Sequence, residues 1–375
     1  TTPRDGRFMP LPPTRAIDTR SGTKQPAGST VFVPIPPGVA NDAIALSVNV
    51  TVVDAVTPGY ATALPHGSAL PDSSTVNIDT AGQTRSSAAI VAVSRDGIAA
   101  GGLDVVDVTG WFTGPSAASS GDGLLVTTGG LRALDTRSSS VVHAGGTVVV
   151  GLSDISSGVD LQHVSALMTN ITMVDNADTG WLAAFPTDRD APATSSVNAD
   201  ITPGSIANSA LVGVGPRGIA VHSSVRTHVI VDIVGWFTGS PDPGDAAPHT
   251  YTNEPTPLPA TPTCDSGPTG RSAIVDRVAQ MAWLCINGSP ASGYMPFTAG
   301  PIEDAPKGEY RVFFKRHPWH GGGYELQRFT AFTRGNEGGR VAFHRFVEMP
   351  ESAVGTEAYR NQSSGCLRMR TKDAI

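Results

Sequence analysis

The sequence predicts a mainly all-β protein: two tandem antiparallel β-sandwich repeats with a β-rich third unit behind them. Composition is the first reason. Charged residues make up 16% of the 375, and there are 42 glycines and 30 prolines. Thr, Ser and Val dominate, and the Glu/Lys/Leu runs that favour helix are missing. Periodicity is the second reason. Runs such as 45–53 and 228–234 alternate along the chain between Gly, Pro and Asp, as strands with one buried face do. The third reason is self-similarity over the first 240 residues.

That repeat can be followed motif by motif. Arg15-Ala16-Ile17-Asp18-Thr19-Arg20 returns as Arg132-Ala133-Leu134-Asp135-Thr136-Arg137. Asn49-Val50-Thr51-Val52-Val53-Asp54 returns as Asn170-Ile171-Thr172-Met173-Val174-Asp175, and Ser74-Thr75-Val76-Asn77 as Ser195-Ser196-Val197-Asn198. Gly97-Ile98 returns as Gly218-Ile219, and Asp107-Val108-Thr109-Gly110-Trp111-Phe112 as Asp232-Ile233-Val234-Gly235-Trp236-Phe237. The offset grows from 117 at Arg15 to 121 at Asn49 and 125 at Asp107, so insertions fall between motifs, as loop insertions do. A period near 120 is too long for a solenoid unit, so 1–114 and 125–239 are read as two domains. Arg-x-x-Asp-Thr-Arg at the start and Asp-x-x-Gly-Trp-Phe at the end resemble a repeat common in secreted actinobacterial surface proteins. The likeness implies an extracellular address and no particular reaction.

Within the repeats, Asp18, Arg20 and Asp107, with Asp135, Arg137 and Asp232, have two readings. They would line a sugar-binding groove beside Trp111 and Trp236, or pair to hold the first strand to the last while Trp and Phe close the core. Cell-surface glycans or proteins are the partners to consider for them. Asn49-Val50-Thr51 and Asn170-Ile171-Thr172 match a glycosylation sequon, but their place inside repeated strands argues for a structural role. His66, His143 and His163 do not recur between the copies.

Residues 115–124 form a short linker, and the Pro-rich stretch 240–263 reads as a semi-extended spacer. From Cys264 onward aromatic and arginine content rises and the repeat ends, making 264–375 a third unit. The net charge of −7 and the lack of a basic stripe give no reason to expect nucleic acid. No apolar run is long enough to span a membrane. The chain starts at Thr1 without a signal peptide, so a secreted protein would have lost its targeting segment. Neither cysteine spacing nor nearby histidines suggest a metal site, and no cofactor is expected. His317 and His320 lack a carboxylate or cysteine partner nearby in sequence.

The chemistry lies near the end, in Ser363-Ser364-Gly365-Cys366-Leu367-Arg368-Met369. Gly365 lets the chain turn sharply and leave the Cys366 sulfur open. The N–H groups of Gly365 and Cys366 can then face a developing oxyanion. If Cys366 to Arg368 is extended, both side chains share a face, and the guanidinium favours the thiolate. His344 stands 22 positions upstream in the strand-like run 341–347, and Cys with His is the minimal acyl-transfer pair. With Cys366 as nucleophile, Cys264 and Cys285 remain either as a disulfide closing a loop of about 20 residues or as two buried thiols. For an exported protein we expect the disulfide.

These residues resemble the catalytic domain of the L,D-transpeptidases (YkuD type), which cross-link bacterial peptidoglycan. That family shows a strand histidine, then Ser/Thr-x-Gly-Cys-apolar-Arg/Asn; here x is Ser364, and Arg345 follows the base where a small residue is common. Ala305-Pro306-Lys307-Gly308-Glu309-Tyr310-Arg311-Val312 resembles the family's upstream turn and strand. Gln280-Met281-Ala282-Trp283-Leu284 with Asn287-Gly288 resembles its opening hairpin, and Phe297-Thr298-Ala299-Gly300 the strand end after it.

The resemblance implies a β-rich domain whose cleft holds Cys366 and His344 at its base. It implies attack by Cys366 on the third residue of a peptidoglycan stem tetrapeptide, with His344 moving protons to the departing D-alanine. Arg368 and Ser364 would bind substrate. Trp319 and Tyr324 would do the same from a flap over 317–324, whose glycines and proline suit a loop. Three classes follow: a secreted or wall-bound L,D-transpeptidase, an L,D-carboxypeptidase in which water replaces the amine, and a surface or adhesion protein with an inactive third domain.

Overall fold

The computed structural model describes residues 2–22, 25–151, 161–176, 178–200, 205–245, 247–254, 260–264, 270–276, 281–298, 309–316, 318–321, 324–334, 340–346, 354 and 366–370. They are strand and turn almost throughout, so the protein is all-β. Two compact units emerge, Thr1–Pro255 and Thr256–Ile375.

The first repeat contains β1 (Phe8–Asp18), β2 (Thr30–Val33), β3 (Ala45–Val52), β4 (Gly59–Pro65), β5 (Val76–Ile78), β6 (Arg85–Ala92), β7 (Ile98–Gly101) and β8 (Val105–Phe112). They form two antiparallel sheets, β1-β8-β3-β6 and β2-β7-β4-β5. The second repeat contains β9 (Leu125–Asp135), β10 (Thr147–Val150), β11 (Val164–Val174), β12 (Gly180–Pro186), β13 (Val197–Ala199), β14 (Ser205–Gly213), β15 (Ile219–Ser223) and β16 (His228–Thr238). Its sheets, β9-β16-β11-β14 and β10-β15-β12-β13, have the same strand order. Alternation decides which side faces in. Leu46, Val48, Val50 and Val52 of β3 enter one core, and Leu167, Ile171 and Met173 of β11 enter the other. Ser47, Asn49 and Thr51, like Met168, Asn170 and Thr172, therefore stand on the outer faces.

The recurring motifs have backbone reasons. Asp54 and Asp175, which close the Asn-x-Thr motif, both take left-handed φ (47° and 53°), a region Asp tolerates better than most residues. Gly97 and Gly218 have φ of 136° and 112°, and a Cβ on Gly97 would meet the Val33 carbonyl at 2.5 Å. Trp111 and Trp236 pack at the edges of the two cores.

Between the repeats, Phe8 is fully buried, with ring centroids 5.3 Å from Phe112 and 4.7 Å from Phe237. Arg7 ties down the linker by donating to the carbonyls of Ala118 and Asp122 at 2.8 and 3.2 Å. The first part of the Pro-rich stretch after β16 is held against the second repeat. Arg189 pairs with Asp242 at 2.7 Å and Asp245 at 2.9 Å, Tyr251 donates to the Arg189 carbonyl at 2.8 Å, and Asn253 binds the backbone of Val141 and His143 at 2.8 Å. Residues 240–254 are thus strapped to the second repeat by side chains that composition does not reveal.

The third unit contains β17 (Arg271–Asp276), β18 (Met281–Ile286), β19 (Ser289–Pro290), β20 (Met295–Thr298), β21 (Phe314–Arg316), β22 (Trp319–Gly321), β23 (Tyr324–Arg334), β24 (Arg340–Phe346) and β25 (Leu367–Met369). They make one sheet along the path β17-β18-β20-β25-β24-β23-β21, with β19 on β18 and β22 on β23. Asn287 and Gly288, with φ of 49° and 77°, form the tight turn from β18 to β19, the conformation an Asn-Gly hairpin favours. Cys264 and Cys285 are joined in a disulfide beside Trp283, whose indole donates to the Thr263 carbonyl at 2.7 Å. The sheet carries apolar residues on both faces. Phe297, Phe343, Leu367 and Met369 pack on one, and Phe329, Ala331 and Ala342 on the other.

Candidate active site

The site rests on the one parallel strand pair among the described residues. β24 and β25 run side by side with Phe343 opposite Leu367 and His344 opposite Arg368. In a parallel pair opposite residues point to the same side, and alternate residues share a face. His344 and Arg368 are therefore direct neighbours. Cys366, one residue before β25, lies level with Ala342, whose backbone hydrogen-bonds the thiol. The cysteine, the histidine and the arginine accordingly share the Ala342 face of the sheet, with His344 one two-residue step along from the thiol.

Burial decides the electrostatics. His344 is 2% exposed and stacks on Phe329, with centroids 5.9 Å apart and planes 25° from parallel. Its Nδ1 is buried and meets no hydrogen-bond partner among the described residues. Desolvation pushes the imidazole down to about 4, with the Arg345 backbone pulling it up and the Arg368 charge lowering it further. Cys366 is partly buried, and desolvation raises its thiol above the ordinary value against the Ala342 backbone and Arg368, which both lower it. From sequence, the guanidinium two residues on is expected to favour the thiolate. Here burial outweighs it, and the resting pair is a neutral thiol beside a neutral imidazole. Such a pair can still react, because an uncharged imidazole can take the thiol proton as sulfur attacks, and Arg368 favours the anion as it forms.

The other candidates divide. Ser364 and Gly365 lie outside the described residues, as do 305–308 of the upstream turn. Residues 309–313 are described but carry no strand; β21 begins at Phe314. Trp319 and Tyr324 sit on β22 and β23, where Gly321 pairs with Tyr324 and Trp319 with Leu326. The described part of the expected flap is therefore paired strand, while His317, Gly322 and Gly323 lie outside the described residues. Phe329 is the contributor that motif reading missed. Its signal was an aromatic in the apolar run of β23, a pattern shared by every core strand.

In the repeats the same acid–base network forms twice. Arg15 of β1 holds Asp107 of β8 at 2.8 Å and Asp18 at 3.1 Å, and Arg20 also binds Asp18. Arg132 likewise binds Asp232 and Asp135, and Arg137 binds Asp135. Arg20 and Arg137 hold the carboxyls of Asp18 and Asp135 well below the usual range. Arg15 with Asp107 and Arg132 with Asp232 join the first strand to the last, Arg20 and Arg137 pair locally, and none gathers around an aromatic platform, because Trp111 and Trp236 face the cores. Among the described residues, no three or more His, Cys, Asp or Glu side chains gather as a metal site, and no helix is long and apolar enough to cross a membrane. Compared with protein-family models, characterised proteins and solved structures, the chain matches none of them.

Proposed function

We propose that the third unit is a cysteine acyltransferase of the L,D-transpeptidase type, acting outside the cell on peptidoglycan stem peptides. The observation that carries the reading is the register of β24 and β25, which sets Cys366, His344 and Arg368 on one face of the sheet. In the proposed reaction the Cys366 sulfur attacks the carbonyl of the stem's third residue. A C–S bond forms, the C–N bond to D-alanine breaks, and the thiol proton passes through His344 to the departing amine. The amides of Gly365 and Cys366 are the candidate oxyanion donors. An acceptor amine then displaces sulfur, forming the cross-link and returning a proton to the thiol; water in its place gives the carboxypeptidase outcome. A second reading, a wall-surface protein with an inert third unit, draws on the burial of His344 and the raised thiol.

Incubation with purified tetrapeptide muropeptides, followed by mass spectrometry, separates these readings. The proposal expects a covalent adduct on Cys366, loss of D-alanine and a cross-linked product, all absent from Cys366→Ala. Release of tripeptide alone would replace transfer by hydrolysis. No adduct with any stem peptide would leave the inert reading standing.

A further inference from the structure

The contact between the repeats uses a different surface on each side. The first repeat offers the outer face of β1-β8-β3-β6, and the second offers the edge carrying β13 and β14. Asp107 accepts the Ser195 N–H at 2.9 Å. Asn49 donates to the Ser195 carbonyl at 2.6 Å and accepts from Asn208 at 2.9 Å. The Asp200 carboxylate receives the Thr84 N–H at 2.8 Å, and the Ser86 hydroxyl receives the Asn198 N–H at 3.2 Å. The rim is apolar, with Phe8 and Phe112 against Met168 and Leu211.

Because the two repeats share one strand order, each surface has a counterpart on the other repeat. The pairing of Asn49 with Asp107 recurs as Asn170 with Asp232. Ser74, Asn77 and Asp79 stand where Ser195, Asn198 and Asp200 stand in the second copy, with Ser87 in place of Asn208. The counterparts are less covered, except at Phe237. The Asp107 side chain is 1% exposed and that of Asp232 27%; Ser195 is buried, and Ser74, Asn77 and Asp79 are exposed. The rim repeats this contrast. Phe8 and Leu211 correspond to Leu125 and Ile90, which are 47% and 61% exposed. Phe8 of the same chain covers one end of the second face, at Ala166, Met168, Leu211 and Phe237.

We infer that the chain self-associates head to tail, the outer face of its second repeat receiving the exposed β5 edge, Ser74 to Asp79, of the first repeat of another copy. Asp232 and Asn170 bind the backbone at Ser74, and Ile90 packs toward Leu125. A contact between unlike surfaces leaves one of each kind unpaired at the ends, so it extends into rings or filaments and does not close as a two-fold dimer. The inference is independent of the chemistry of the third unit.

Sedimentation velocity on the full chain tests it with two single variants, Asp232→Lys on the face and Asn77→Arg on the edge. The wild type should grow in mass with concentration through the micromolar range, and each variant should remain a monomer with an unchanged melting temperature. An equimolar mixture of the two should give a heterodimer and nothing larger, since each retains the surface the other lost. Leu125→Glu and Ile90→Glu should behave as a second such pair should either first variant fold poorly. A wild type that stays monomeric overturns the inference. So do variants that associate like the wild type, or a mixture that does not pair.

Discussion

The two repeats carry the same motifs on the same strands, yet the Asp107 side chain is 1% exposed and that of Asp232 27%. One aspartate supports a neighbouring domain, and the other faces solvent with its arginine. Identical local sequence therefore fixes the strand, the face and the intramolecular partner of a residue, while its energetic weight is set by what packs over it. Three substitutions or titrations break the comparison open.

The largest difference should come from Phe8→Ala against Leu125→Ala. Phe8 fills the space between Phe112 and Phe237 with no exposed surface, so its loss should cost about 3–5 kcal/mol of the stability of the two-repeat unit. Leu125, at the equivalent position, should cost within about 0.5 kcal/mol and act on self-association instead. Urea denaturation followed by tryptophan fluorescence reads both, and equal losses would deny the asymmetry. Next is Asp107→Ala, which leaves the Ser195 N–H without its acceptor and Arg15 with Asp18 alone, and should cost about 2–4 kcal/mol. Asp232→Ala should move the denaturation midpoint little, because its arginine stays solvated.

The third test contrasts the repeats with the third unit. The repeats keep Asp and Arg charged by pairing them, whereas the third unit keeps His344 and Cys366 neutral by burial. A histidine whose folded pKa lies below its unfolded one costs nothing above the unfolded value. As pH falls the unfolded chain protonates first, so stability is lost between about 6.5 and 4, by up to ~3 kcal/mol. His344→Phe, which retains a ring over Phe329, should flatten that acid limb in a pH series of thermal melts. An unchanged limb would show that His344 is solvated or already charged in the fold.

Much of this architecture was legible beforehand. Alternation in 45–53 and 228–234 announced the half-buried strands β3 and β16, and the drifting offset placed the insertions in loops. The recurrence of Asp18, Arg20 and Asp107 at the two ends of each copy suggested an Asp–Arg tie between first and last strands, but the arginine that reaches Asp107 is Arg15, while Arg20 stays with Asp18. What could not be read was which copy of a shared surface would be covered. Ser195 and Ser74 sit in the same motif, and only the placement of one domain on another distinguishes them. The same limit applied at the candidate site. The spacing of Cys366 and Arg368 showed that they could share a face, but the burial that keeps the thiol protonated depends on the third-unit fold, including Phe329 stacked on His344 from β23.

The hydrogen bonds from Thr84 and Ala88 have a further consequence. Both donors lie at or beside β6, the outermost strand of its sheet, and their N–H groups are satisfied by the side chains of Asp200 and Asn208 at 2.8 and 3.0 Å. A bare outer strand is a template on which other chains can add and aggregate. The second repeat thus acts as a guard rail for the first, blocking strand addition with side chains that cannot continue a ladder. Cut apart, the first repeat would expose the backbone N–H groups of that edge, so β6 is guarded only while the two repeats stay together.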